Sequence, residues 1–143
     1  MKPSLTVTEF FLDTSFAIAL SSAADQNHLR AVRLANQIET NKTRLVTTHA
    51  ILLEIGNALS KQRYRSAAIQ LLESLETDPS VEIVLFTSSL YKLAFNLFKQ
   101  REDKEWGLVD CTSFVVMQNR GIIEALTADI HFQQAGFRAL LRE

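Results

Sequence analysis

Short apolar runs alternate along the chain with longer stretches of helical period, and that alternation predicts an α/β fold around a mainly parallel sheet. The runs "EFFLD" (9–13), "RLVTT" (44–48), "VEIVLF" (81–86) and "GIIEALT" (121–127) suit buried strands, and "FRALL" (137–141) is a weaker fifth. Between the first two, "NHLRAVRLANQIE" sets Leu29, Val32, Ala35 or Asn36, and Ile38 or Glu39 near one face, which predicts a helix over 27–40. "HAILLEIGNALSK" then places Ile51, Leu52, Ile55, Ala58 and Leu59 on one stripe behind a cap at Thr47 or Thr48, with Glu54 just beside the stripe. Further helices are predicted over 66–77, closed by "TDPS", and from Ser88 or Ser89 through "LYKLAFNLFKQ", where Leu90, Leu93, Ala94, Leu97 and Phe98 form an apolar face. A last long helix runs from about Leu108 to Asn119, with Gly121 placed to cap it.

Length and composition narrow this picture. At 143 residues, with 47% hydrophobic and 22% charged positions and no repeat, low-complexity tract or linker, the chain reads as one domain over 1–143. Fifteen basic residues against sixteen acidic ones give no global positive field, so any polyanion site is local. The single cysteine, Cys111, sits in an apolar run as a core thiol and forms no intramolecular disulfide, which fits a reducing compartment. No cleavable leader is evident, and no apolar run approaches the roughly 18 residues that cross a bilayer, so a cytoplasmic protein without a membrane partner is expected.

Most acidic residues lie in polar surroundings where water solvates them. Four do not: Asp13 follows "FFL", Glu54 interrupts "ILL" and "IGNAL", Asp110 lies within "GLVDCTSFVVM", and Asp129 follows "IIEALTA". A half-buried carboxylate without a partner loses several kcal/mol of hydration. Taken singly, Asp13, Asp110 and Asp129 read as helix caps or first-turn acids, and Glu54 as an edge residue paired with Lys61 or Arg63. Taken together they say more. If the first and fourth strands are neighbours, Asp13 and Asp129 leave the same edge of the sheet, and Glu54 and Asp110 begin helices near that edge. Carboxylates gathered so closely repel unless a cation lies among them, and oxygen ligands suit Mg2+ or Mn2+.

With "FLDTS" at Asp13, "LLEIGNAL" at Glu54, "WGLVDCTSFVVM" at Asp110 and "ALTADIHFQQAGF" at Asp129, the chain resembles the PIN-domain ribonucleases, and more closely the VapC-type toxins of toxin–antitoxin pairs. The order of the acids, the spacing from Asp110 to Asp129 and the length agree over nearly the whole chain, although "CTSF" stands where many relatives are alanine-rich. The resemblance implies a three-layer α/β/α sandwich, metal-dependent endonucleolytic cleavage of RNA, and a homodimer neutralised by a cognate antitoxin. It implies Asp13, Glu54, Asp110 and Asp129 as the catalytic, metal-binding quartet, with Ser15 and Thr127 as supporting hydroxyls and Asp103 as an additional acid. The helix "LYKLAFNLF" and the second helix are candidate dimer or antitoxin surfaces.

For RNA itself, the candidate contacts are Lys42 and Arg44, then Lys61, Arg63 and Arg65 with Tyr64 for stacking, then Lys99, Arg101 and Lys104 with Trp106. The alternative for these residues is a solvated helix face and a packed indole. His28, His49 and His131 form no metal pair at helical spacing and neighbour no Ser or Cys nucleophile, which disfavours covalent catalysis. Two other readings remain: a phosphohydrolase of another Asp-based class, whose usual "DxD" the segment "DTS" lacks, and a non-catalytic PIN-like RNA- or protein-binding module.

Overall fold

The computed structural model describes residues 7–143; the expectation about a leader falls partly on residues 1–6 and lies outside the described residues. In chain order the elements are β1 (Glu9–Leu12), α1 (Thr14–Ser21), α2 (His28–Asn41), β2 (Arg44–Thr48), α3 (His49–Ala58), α4 (Gln62–Thr77), β3 (Val81–Val84), α5 (Ser88–Gln100), α6 (Leu108–Arg120), β4 (Glu124–Leu126), α7 (Ile130–Gln134) and β5 (Arg138–Ala139). The five strands form one sheet in the order β3-β2-β1-β4-β5, with every pairing parallel. Consecutive residues Phe11 and Leu12 of β1, and Val46, Thr47 and Thr48 of β2, are all buried. Neighbours along a strand point to opposite faces, so helices cover both sides of the sheet, the three-layer arrangement expected.

Strand β3 ends earlier than its apolar run suggests, for a reason of pairing. Val84 is opposite Thr48, where β2 gives way to α3, so Leu85 and Phe86 meet no further partner and stand exposed. Gly121, with φ 68°, closes α6 in the left-handed conformation its sequence position predicts, and β4 starts only at Glu124. The weak fifth strand shrinks to Arg138–Ala139 before a 3-10 turn takes over.

Helix α6 is the central piece of one helical layer. Seven consecutive residues, Cys111 to Met117, are buried, so this helix is enclosed on all sides rather than on one stripe. Its hydroxyls are satisfied internally, Thr112 donating to the Leu108 carbonyl and Ser113 to that of Val109. Phe114 packs edge-on against both Trp106 and Phe132, each at 5.0 Å between ring centres, and Trp106 Nε1 donates to Gln134. This aromatic cluster fixes the start of α6 against α7. Helix α5 differs from expectation: Leu90 and Ala94 are buried and Leu97 partly so, but Leu93 and Phe98 are about half-exposed, as are Tyr91 and Phe95.

Candidate active site

The strand order reverses between β1 and β4, where the chains leaving their C-terminal ends diverge and open a crevice. Leu12 pairs with Leu126, and the Asp13 N–H donates to the Leu126 carbonyl at 3.3 Å, so Asp13 and Thr127 emerge side by side. Asp13 holds the N-cap position of α1, yet its side chain caps nothing. Its Oδ2 instead accepts from Thr127 Oγ1 at 2.7 Å and from Ser15 Oγ at 3.0 Å. The two hydroxyls are themselves aimed by the backbone: Ser15 Oγ accepts from the Ala128 N–H and Thr127 Oγ1 from the Asp129 N–H, each at 3.0 Å. A buried carboxylate is thus held by a small rigid network. Burial dominates even so and pushes the Asp13 carboxyl up to about 6, against the lowering effect of Thr127 and Ser15.

The other three acids reach the same place from different elements. Thr48 caps α3 by accepting from the Ile51 N–H, and one turn on Glu54 accepts from Thr14 Oγ1 at 2.8 Å, so its partner is a hydroxyl of α1 rather than Lys61 or Arg63. Asp110, in the first turn of α6, accepts from the Gly107 N–H at 2.9 Å. Asp129 caps α7, accepting from the His131 N–H at 2.8 Å. The cap readings of Asp110 and Asp129 are therefore correct as far as they go, and compatible with a second role. Asp13, Glu54, Asp110 and Asp129 all line one cleft of about 590 Å³, with Ser15 and Asn57.

These carboxylates press on one another. Burial raises the Glu54 and Asp110 carboxyls above their ordinary values, and the neighbouring charge of Asp129 raises both further; Asp110 also raises Glu54. Donor atoms from Asp110, Asp129 and His131 lie within 4.8 Å of one another, close enough to share an ion. Four carboxylates of like charge lining one cleft are the donor set whose repulsion a divalent cation relieves, so the residues fit the ion that the resemblance implies.

Three residues of the site carried no clear sequence signal. His131 has no second His at helical spacing to mark it as a ligand, yet α7 turns its ring into the acid cluster, 3.3 Å from both Asp110 and Asp129. Asn57, three residues after Glu54, shares its helix face, a spacing that could have flagged it. Thr14 is found only through its bond to Glu54.

The expected supporting and RNA-contact residues divide. Ser15 and Thr127 stand in the site; Asp103 does not join it, being an exposed acid bound to Arg101 at 3.0 Å and to Lys104 at 3.9 Å. Arg44 pairs in register with Glu9, at the far end of β1 and about 13 Å of strand from Asp13. Trp106 is buried, its face covered by the Arg101 guanidinium, which leaves it no room to stack on a base. Lys61, Arg63 and Tyr64 are exposed, with Arg63 over the Tyr64 ring, and Tyr64 borders a groove that shares Ile18 and Ala58 with the acid cleft. Cys111 is buried in α6, its thiol pushed up by burial and then by Asp110, as befits a core residue.

An all-parallel sheet with four acids at its switch point defines the class, and the PIN domain profile matches residues 10–138: the chain belongs to the PIN-domain family. Among individual proteins it is similar to the "23S rRNA-specific endonuclease VapC20" of Mycobacterium tuberculosis, 34% identical over 128 residues that cover 89% of this chain and 94% of the relative. The crystal structure of Mycobacterium tuberculosis VapC20, described as a Sarcin-Ricin loop cleaving toxin, superposes with a TM-score of 0.79 at 29% identity, covering 90% of this chain and 95% of that one. Among the described residues, no helix is long and apolar enough to cross a membrane.

Proposed function

We propose that this chain, acting as a single PIN domain, is a VapC-type endoribonuclease toxin that hydrolyses ribosomal RNA with Mg2+ or Mn2+ bound by Asp13, Glu54, Asp110 and Asp129. The observation that carries the reading is the convergence of these four acids in one cleft, within a family member that resembles a 23S rRNA endonuclease over nearly its whole length. A bound divalent ion supplies positive charge for the phosphate and acidifies water so that it attacks phosphorus near neutral pH. The chain's own residues do the rest. Thr127 and Ser15 hold Asp13 in one orientation at the wall of the cleft, where no side-chain reorganisation is needed to meet an ion. Thr14 steadies Glu54, which is placed to orient water or a bound ion. The Gly107 N–H fixes Asp110 in the same cleft.

RNA reaches the cleft along the α3–α4 turn, where Lys61 and Arg63 meet phosphates and Tyr64 offers an exposed ring. The adjoining groove, with apolar Ile18, Ala58 and Leu59, suits a segment of a cognate antitoxin laid across the site. The half-exposed Tyr91, Leu93, Phe95 and Phe98 of α5 suit a homodimer contact. Cytoplasmic action follows from a ribosomal substrate. The test is incubation of purified protein with 23S rRNA and with intact ribosomes, mapping cut ends with Mn2+, with EDTA and with Asp13→Asn. One discrete cut that disappears in both controls supports the reading. Cutting that survives both controls, or none by folded, ion-loaded protein on either substrate, overturns it.

A further inference from the structure

We propose that His131 is a nitrogen ligand of the divalent ion and that it makes the site favour Mn2+ over Mg2+, an inference that rests on the metal-dependent reading above. Position is the first argument. His131 Nδ1 stands 3.3 Å from Asp110 Oδ2 and 3.3 Å from Asp129 Oδ1, midway between two carboxylates on different elements. A charge-assisted hydrogen bond to either one would close to about 2.7–2.9 Å. Neighbouring ligands of an octahedral ion with bonds of about 2.1–2.3 Å lie roughly 3.0–3.3 Å apart, because cis donors are separated by the bond length times the square root of two. Both separations match those of donors sharing an ion, and the Asp110 contact is also a long hydrogen bond that a bound ion would replace.

The fold holds the ring there. Asp129 accepts the His131 backbone N–H, the next residue, Phe132, is fully buried against Phe114, and the His131 side chain keeps only about a quarter of its surface exposed. Among the described residues its polar ring contacts are the two carboxylates and no carbonyl or hydroxyl. His28, by contrast, has its Nδ1 occupied by the Ala19 carbonyl. Donor chemistry supplies the second half of the inference. Mg2+ is a hard ion that takes oxygen and retains water; Mn2+ shares its use of carboxylates but belongs to the transition series, whose ions also accept imidazole, so one imidazole beside two carboxylates favours Mn2+ over Mg2+.

The experiment uses the full, untagged chain and Mn2+ as the probe, read by electron paramagnetic resonance. Uptake is measured by loss of the free-ion signal, selectivity by the Mg2+ concentration that displaces half the bound Mn2+, and ligation by nitrogen modulation of the spin echo. Wild-type protein should bind Mn2+ with imidazole nitrogen coupling. In His131→Gln the coupling should vanish, and about tenfold less Mg2+ should suffice for displacement, a loss typical of removing one partner of a metal site. His49→Gln, which alters another exposed imidazole, should change neither. Circular dichroism checks that each variant folds, and His131→Ala replaces the Gln variant if that one does not. Mn2+ bound without nitrogen coupling, or coupling that survives loss of the His131 ring, overturns the ligand role and leaves the acid site standing. Lost coupling with an unchanged Mg2+ requirement overturns the selectivity. No Mn2+ uptake by folded wild-type protein overturns the metal-dependent reading as well.

Discussion

Replacing Asp13 by Asn should stabilise the ion-free protein while abolishing its activity. The Asp13 carboxyl is raised by burial from 3.8 to about 6, and at about 1.4 kcal/mol per pH unit the ionised form costs the fold roughly 3 kcal/mol. An amide carries no charge, and its oxygen still accepts from Thr127 and Ser15. The amide loses the favourable influence that the Thr14 backbone has on the carboxylate, which trims the expected gain to about 1–2 kcal/mol. The sign with pH follows from the raised value. The protonated acid's advantage is complete below 3.8, where the unfolded chain is also protonated, and is lost as pH rises through about 6. The variant's gain should therefore grow between about pH 4 and 6 and then level off. Urea unfolding in EDTA at about pH 4, 5, 6 and 7.5 measures it, with midpoints compared at constant slope. Adding Mn2+ should reverse the order, because an ion at a hundred times its Kd contributes about 2.7 kcal/mol to wild type alone. A variant less stable than wild type at about pH 7.5 in EDTA, or a gain that does not change with pH, would refute the burial argument.

Thr127→Val removes a fully buried hydroxyl that donates to Asp13 at 2.7 Å and should lower the melting midpoint by an amount equivalent to about 1–3 kcal/mol near neutral pH, with a smaller loss near pH 4 by calorimetry. Glu54→Gln keeps an oxygen for the Thr14 hydroxyl and removes a charge that burial disfavours, so the ion-free protein should melt no lower than wild type at neutral pH while single-turnover cleavage slows roughly 10- to 100-fold. The double variant Lys61→Ala with Arg63→Ala should leave the melting curve unchanged and make RNA affinity less salt-dependent, lowering the slope of log affinity against log salt by about 1.4 in a filter-binding assay.

The sheet was legible because its strands are short apolar runs bounded by turn and cap signals, and because parallel pairing forces β1 and β4 to deliver Asp13 and Asp129 to one edge. Strand ends were less legible: the apolar pattern of "VEIVLF" continues past Val84, but hydrogen bonding stops where β2 becomes a helix at Thr48. Helix α4 starts at Gln62 rather than Ser66, as "QRYR" has good helix propensity and little apolar period to advertise it. Acids in apolar runs were conspicuous because burial makes them costly. His131 was not, since a histidine is at home on many surfaces and its approach to Asp110 depends on how Phe114 and Phe132 dock α6 on α7. Likewise Asp103 looked like part of the approach to Asp110, and only the folded chain shows it bound to Arg101.

In the proposed reaction, water activated among the four acids is the nucleophile at phosphorus. The most direct test is to let the protein cut its RNA in water labelled with heavy oxygen and to weigh the new ends by mass spectrometry. One labelled oxygen on the terminal phosphate is expected for each cut. An unlabelled 2′,3′-cyclic phosphate end, the signature of attack by the ribose hydroxyl, would contradict it.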